Sequence, residues 1–269
     1  MVTVITTSLN VVNYIGSTIK SVLSQSYPHI EYIIIDGGSI DGTAEIIRNY
    51  AASLAYWQSK PDRGIAHAFN EGLAHATGQW ILYLGADDFF LGSSVVEKMV
   101  PHLRNKECDV VYGRIIRMTR EKSPNPAPLC KIGGKPWRWQ EFRRENTIPH
   151  QAAFTSRSFF QSVGNFDESF RIAMDYELYL RGGKDLNAQF VPVEVAGMRS
   201  GGQCGKSPIQ TFQEFKRAQI MHRALPRGLA WVNFLFIIAR VYLGKAAHKV
   251  LDPFAHKIHL AGRNPIKLS

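Results

Sequence analysis

Three observations predict a doubly wound α/β fold with a mostly parallel sheet. Short β-branched runs alternate with helix-patterned segments through the first 113 residues. The ends of four successive strands each deliver a polar or acidic residue, as expected where such sheets bind ligands, beyond the carboxyl ends of their strands. At 269 residues and 45% hydrophobic content, the chain can bury a sizeable core as one large domain, or as one domain with an extension.

The elements follow in order. Val2–Thr6 and Tyr32–Ile35 read as buried strands. Between them Ile15, Ile19, Val22 and Leu23 form a helix face. Ile46 to Leu54 marks a second helix and Tyr56–Gln58 a short strand. Ile65, Phe69, Leu73 and Ala76 give a third helix, ended by Gly78, and Trp80–Leu84 is a strand. Val95 to Leu103 is a fourth helix and Val110–Tyr112 a further strand. Residues 120–139 are rich in Pro, Gly and Lys and read as a loop over the site. Ala152–Thr155 is a strand, Ser158–Val163 a helix ended by Gly164, Met174–Arg181 a helix and Gln189–Val193 a strand. Residues 209–225 are helical, and 229–243 is apolar nearly all round with Arg240 inside it. That last run is too short to span a bilayer, which takes about 20 apolar residues. With its basic flanks it suits a membrane interface, or packing on the domain.

Charge divides the chain. Residues 204–269 hold 11 Lys+Arg against 2 Asp+Glu, which is most of the net +10. The nearly neutral remainder, 1–203, argues against a nucleic-acid-binding core, and the basic tail fits an anionic surface or an acidic partner. Cys108, Cys130 and Cys204 are too scattered for a zinc knuckle or a disulfide framework. No basic leader precedes the first strand, so a cytoplasmic location is expected.

At the strand ends, Asn10 follows the first strand, Asp36 the second, Asp62 the third, and Asp87–Asp88 the fourth. Adjacent carboxylates repel and are costly to desolvate, so the pair calls for a cation. Capping accounts for one carboxylate at most. For Asp41, capping and ligand contact are equally good readings.

The segments TTSLN (6–10), IIIDGGSIDGT (33–43), DRGIAHAFNEG (62–72), ATGQWILYLGADD (76–88) and MDYELYLR (174–181) occur in this order. The series resembles family 2 glycosyltransferases of the GT-A fold, a Rossmann-like nucleotide-sugar transferase sheet, over roughly residues 1–195. The resemblance implies a catalytic domain over 1–203 and a basic helical extension over 204–269. It implies that Asp88 binds Mn²⁺ or Mg²⁺ on the nucleotide diphosphate and that Asp87 lies near the ribose or sugar. Hard oxygen ligands suit both cations. Thr7, Asn10, Asp36 and Asp62 are then candidates to line the nucleotide site. Relatives often carry an aromatic residue at Leu9 and an Asp at Gly37, so these two departures bear on the base; uridine is the expected one.

Asp175 stands where inverting relatives place the base that deprotonates the acceptor hydroxyl, although Met174 replaces the usual preceding acid. Met174 is expected to desolvate Asp175 and raise its pKa. Glu177 is the alternative base, and a helix-start acid favoured by the dipole is the structural one. His150 is placed equally well on the diphosphate, on the acceptor, or in a structural role. The role of His67 stays open. No Gln-x-x-Arg-Trp stretch is present, so addition of one sugar is expected.

The expected function is metal-dependent, inverting transfer from a UDP-sugar to a saccharide or lipid-linked acceptor in surface polysaccharide or glycolipid synthesis. The enzyme would sit at the inner face of the cell membrane. The alternatives are transfer to a polyprenyl phosphate and a non-catalytic nucleotide-binding scaffold. A nucleotidyltransferase would carry a Gly-rich, Arg-containing loop where Thr7-Ser8-Leu9-Asn10 stands. The extension would equally serve as a homodimer interface.

Overall fold

The computed structural model describes residues 1–105, 107–121, 126–132, 134–201 and 207–243. Cys204, the start of the extension and the tail over 244–269 lie outside the described residues.

Nine strands among the described residues form one sheet. They are β1 (Val2–Ser8), β2 (Ile30–Asp36), β3 (Tyr56–Ser59), β4 (Trp80–Tyr83), β5 (Phe89–Phe90), β6 (Val110–Met118), β7 (Pro128–Ile132), β8 (Ala153–Ser156) and β9 (Ala188–Arg199). The order is β3-β2-β1-β4-β8-β6-β9-β5, with β7 on β6. The first four strands are parallel. Beyond β4 the sheet is mixed: β8 is antiparallel to both neighbours, β6 and β9 are parallel, and β5 and β7 are antiparallel additions. The run of consecutive parallel strands is therefore confined to β1–β4.

Helices cover both faces. They are α1 (Ile15–Leu23), α2 (Thr43–Asn49), α3 (Ile65–His75), α4 (Val95–Met99), α5 (Trp139–Phe142), α6 (Arg157–Val163), α7 (Met174–Gly182), α8 (Pro208–Met221) and α9 (227–243). Alternate residues of β1 feed the two cores. Ile5 joins α3, α6 and α7 on one face, while Val4 joins α1, α2 and α4 on the other.

Several boundaries differ from expectation. The second helix stops at Asn49 and passes into a single tight turn over Ala51–Ser53. The fourth ends at Met99, because Pro101 lacks the amide proton a continuing helix needs. Inside the stretch read as a loop, Pro128–Ile132 pairs with β6. The strand expected over Gln189–Val193 extends to Arg199. The helix expected over 209–225 closes at Met221, with a left-handed turn at Arg223 (φ 53°).

Candidate active site

The carboxyl ends of β1, β2 and β3 meet in a polar knot. Asp36 is fully buried at the end of β2. One of its oxygens accepts from Ser8 Oγ (2.7 Å) and Ser39 Oγ (2.6 Å), the other from Ser39 N (2.9 Å) and Ser59 Oγ (2.6 Å). Burial opposes its ionisation, yet these donors hold its pKa below the usual range. With the four acceptor positions of a carboxylate taken, Asp36 braces the site. Asn10, at φ 52°, is likewise engaged: its amide donates to Ser39 Oγ and its side-chain oxygen accepts from Ile40 N. Thr7 is half-buried at the end of β1. Asp41, one residue ahead of the N-cap Gly42, accepts from Val12 N and from the backbone amide and hydroxyl of Thr43, and so ties the start of α2 to the loop after β1. Leu9 stands exposed beside them.

Asp62 accepts from Gly64 N (2.7 Å), at the start of α3. Its second oxygen lies against Gly37, where an added Cβ would come within 2.5 Å. Gly37 is therefore the space that Asp62 fills.

Asp87 and Asp88 occupy a short turn between β4 and β5. Asp88 N donates to Gly85 O (3.0 Å), and Thr18 Oγ1 from α1 reaches Ala86 O (2.8 Å) and Asp88 O (2.6 Å). Pairing of β5 with β9 fixes the far side. The pair is offset unequally. Asp87 faces Arg120 at 3.4 Å, and its carbonyl accepts from the buried Arg199 guanidinium at 2.6 Å. That guanidinium also lies over the rings of Tyr14 (5.3 Å) and Phe89 (4.8 Å). Asp88, 3% exposed, receives Arg199 N (3.2 Å) and the Gln151 side chain. Burial first, and the charge of Asp87 second, push its pKa up to about 7; nearby His150 moderates the rise.

The residues suit a divalent cation. Both acids are hard oxygen donors. Gly85 lets both carboxylates crowd this turn, since a Cβ there would fall 2.7 Å from Asp88 Oδ2 and 3.6 Å from Asp87 Oδ1. Asp88 is the less compensated charge. No group of three or more His, Cys, Asp or Glu among the described residues could form a protein cage. One or two carboxylates completed by phosphate and water is a common way to hold Mg²⁺.

Asp175 is the second residue of α7. It accepts from Asn146 Nδ2 at 2.9 Å and faces His150 Nδ1 at 3.4 Å. Met174 turns into the core and the surroundings of Asp175 are polar, contrary to the apolar setting expected. Burial favours neutral His150, but the hydrogen bond and charge of Asp175, with the charge of Asp88, push its pKa above the ordinary value. His150 thus faces Asp175 directly and lies within electrostatic reach of Asp88. Glu177 is buried, ion-paired with Arg181 (2.6 Å) and within hydrogen-bond distance of His222 (2.7 Å), which leaves it no base-like access. His67 sits 4.0 Å from Glu71 on α3.

The glycosyl transferase family 2 model matches residues 3–163. The chain belongs to glycosyltransferase family 2. An uncharacterised glycosyltransferase of Mycobacterium tuberculosis is 32% identical to this glycosyltransferase over 251 residues, covering 90% of this chain and 91% of the relative. A PGL/p-HBAD biosynthesis glycosyltransferase of Mycobacterium bovis is 29% identical, covering 67% and 69%. Among solved structures, Staphylococcus aureus TarS residues 1–349 with UDP-GlcNAc superposes with a TM-score of 0.64 at 15% identity, over 85% of this chain and 69% of that one. This glycosyltransferase spans 41% of a longer TarS chain. The mannosyltransferase PcManGT of Pyrobaculum calidifontis, bound to GDP-Man and Mn²⁺, gives 0.61 at 19% identity, over 96% and 80%. These neighbours are GT-A glycosyltransferases, and the expected fold is the observed one.

Sequence reading gives Gln151, beside His150, no role of its own and misses Asn146, Arg120 and Arg199. Arg199 ends a strand whose expected limit was Val193, and Arg120 begins the stretch read as a loop. For the two arginines, a cation at or just past a strand end was the available signal.

Proposed function

We propose that the enzyme transfers one sugar from a nucleotide-sugar, a UDP-sugar first, to a hydroxyl of a saccharide or lipid-linked acceptor, with inversion. The supporting observation is the convergence of Asp88, His150 and Asp175, which lie on three separate elements. In this reading Asp88, with Asp87 beside it, holds Mn²⁺ or Mg²⁺. When bound, the cation supplies charge stabilisation at the leaving nucleotide diphosphate. Asp175 takes the proton from the acceptor hydroxyl, whose oxygen attacks the anomeric carbon opposite the nucleotide. His150 orients Asp175 and adds positive charge between the two acids. Thr7 and Asp62 line the nucleotide, with Asn10 and Asp36 behind them as braces.

The proposal includes a membrane surface. No helix among the described residues is long and apolar enough to cross a bilayer. Helix α9 turns Ala230 and Ile237 inward and exposes Leu229, Val232, Leu235, Phe236 and Leu243. An apolar face beside a basic tail fits the interface of an anionic membrane, where a lipid-linked acceptor in polysaccharide or glycolipid synthesis would be met. The M. bovis relative, named for PGL/p-HBAD biosynthesis, agrees with that setting.

The test is a thermal-shift panel of UDP-, GDP-, dTDP- and CMP-sugars, each with Mn²⁺ or with EDTA, on wild type and Asp88→Ala. A ligand that binds the native state raises its melting temperature by mass action. The expected result is a metal-dependent shift with UDP-sugars that disappears in Asp88→Ala. A shift insensitive to both EDTA and Asp88→Ala would remove the metal assignment.

A further inference from the structure

We propose that Glu214, on α8 in the C-terminal extension, is a positioning residue for Asp175. The proposal rests on the reading of Asp175 as the base. Its grounds are in how α7 is held. The N-cap residue Ala173 makes no side-chain cap, and Asp175 is two residues beyond it. The backbone here is gripped from outside. Glu214 Oε2 accepts from Ala173 N (2.9 Å), Ile172 N (2.9 Å) and Arg171 N (3.2 Å), while Oε1 accepts from Arg171 N (3.1 Å).

Glu214 is only 8% exposed. A buried carboxylate is costly unless its donors are well placed, and charged hydrogen bonds to consecutive amides constrain position closely. Apolar packing alone would hold α7 against α8 without such a group. The same helix also grips the residue after the base. Gln219 Nε2 donates to Tyr176 Oη (3.2 Å), and Phe215 packs on the Tyr176 ring at 4.5 Å. The opposite wall is tied too. Gln219 Nε2 and Asn233 Nδ2 both donate to Arg144 O, two residues before the Asn146 that bonds Asp175. Residues 171–173, 176 and 144 all hang from the extension, and Asp175 lies among them. The expected 203/204 boundary therefore falls ahead of a helix that braces the catalytic domain.

Glu214→Ala, Glu214→Gln, Glu177→Gln and Asp175→Asn are compared with wild type well below their melting temperatures. The readout is nucleotide release from UDP-glucose, UDP-GlcNAc and GDP-mannose with Mn²⁺, into water and into octyl glycosides. A misplacement of about 1 Å at a reacting group can cost on the order of 100-fold in rate. Glu214→Ala should therefore lower kcat about 10- to 100-fold with the donor KM within about twofold. Glu214→Gln keeps an acceptor for the three amides and should recover most of the rate. Glu177→Gln loosens the far end of the same α7–extension contact and should lower melting temperature with little change in kcat.

Amide hydrogen exchange over 171–177 reads the same variants without an acceptor. It should accelerate in Glu214→Ala and return in Glu214→Gln. Unchanged kcat and protection in Glu214→Ala would overturn the proposal, as would an equal fall in kcat in Glu177→Gln. If Asp175→Asn keeps the wild-type rate, the base assignment itself fails. If Asp175→Asn loses the rate while Glu214→Ala keeps it, only the role of Glu214 fails.

Discussion

At the edge formed by β1, β2 and β3, the polar side chains bond to one another within the first 60 residues. Ser8, Asn10, Asp36, Ser39 and Ser59 close a network of their own. Around Asp175 the supports come from far away in the chain: Asn146 lies 29 residues before it, and α8 starts more than 30 residues after it. The β1–β3 edge is preorganised by strand ends whose order follows from the βα pattern. Asp175 is placed by helix docking, which depends on α8 packing against α7. A change in the extension should then touch chemistry before it touches nucleotide binding.

Asp175→Asn gives the largest expected separation of the two regions. It retains the hydrogen-bonding shape and removes the proton acceptor, so turnover should fall on the order of 1,000-fold, within the usual range for a lost general base. Metal-dependent shifts with nucleotide-sugars should survive, because nothing at the β1–β3 edge changes. Thermal shift and product release on one preparation check both halves. Loss of nucleotide binding in Asp175→Asn would mean that the two regions are not independent.

Asp36→Ala probes the other side. Three hydroxyls and one amide lose their acceptor at a fully buried position. The expected cost is on the order of 3 kcal/mol, since unsatisfied buried donors and lost charged hydrogen bonds each weigh heavily. Urea denaturation measures it. Donor KM should rise and kcat hold, the reverse of the split expected at Glu214. A destabilised variant with unchanged donor KM would make the knot purely structural.

The same contrast explains what the sequence disclosed. The parallel half was legible because each strand, helix and polar strand end is written locally, in β-branched runs followed by Asn10, Asp36, Asp62 and Asp87–Asp88. The mixed half was less so. β5 is two residues long, β7 lies in a Pro- and Lys-rich stretch, and both exist because β9 and β6 offer edges to pair with. The motif singles out Asp175, but nothing local singles out its supports. A glutamate in QTFQEFKRAQ resembles a solvated helix face. The available signal was its spacing: Thr211, Glu214 and Ala218 share the i, i+3, i+7 stripe that turns inward. A charge on that stripe implies a partner.

Glu177→Gln is the smallest expected effect and tests whether α7 and the extension form one unit. Glu177 accepts from Arg181 and His222, and Arg181 is further held by the carbonyls of Val163 and Asn165. Burial on its own raises the pKa of Glu177, but the hydrogen bonds and charges of His222 and Arg181 outweigh it and set the folded pKa below 4.5. A carboxylate with a depressed folded pKa stabilises the protein above its unfolded pKa, and the contribution fades as pH falls through the folded one. The stability difference between wild type and Glu177→Gln should be about 2 kcal/mol at pH 7. It should shrink steadily once the pH drops below about 4.5. Urea midpoints at pH 7, 5 and 4 give the curve. A difference that does not change across that range would mean that the contact between α7 and the residue following α8 is held by packing, and that the charge of Glu177 adds nothing to it.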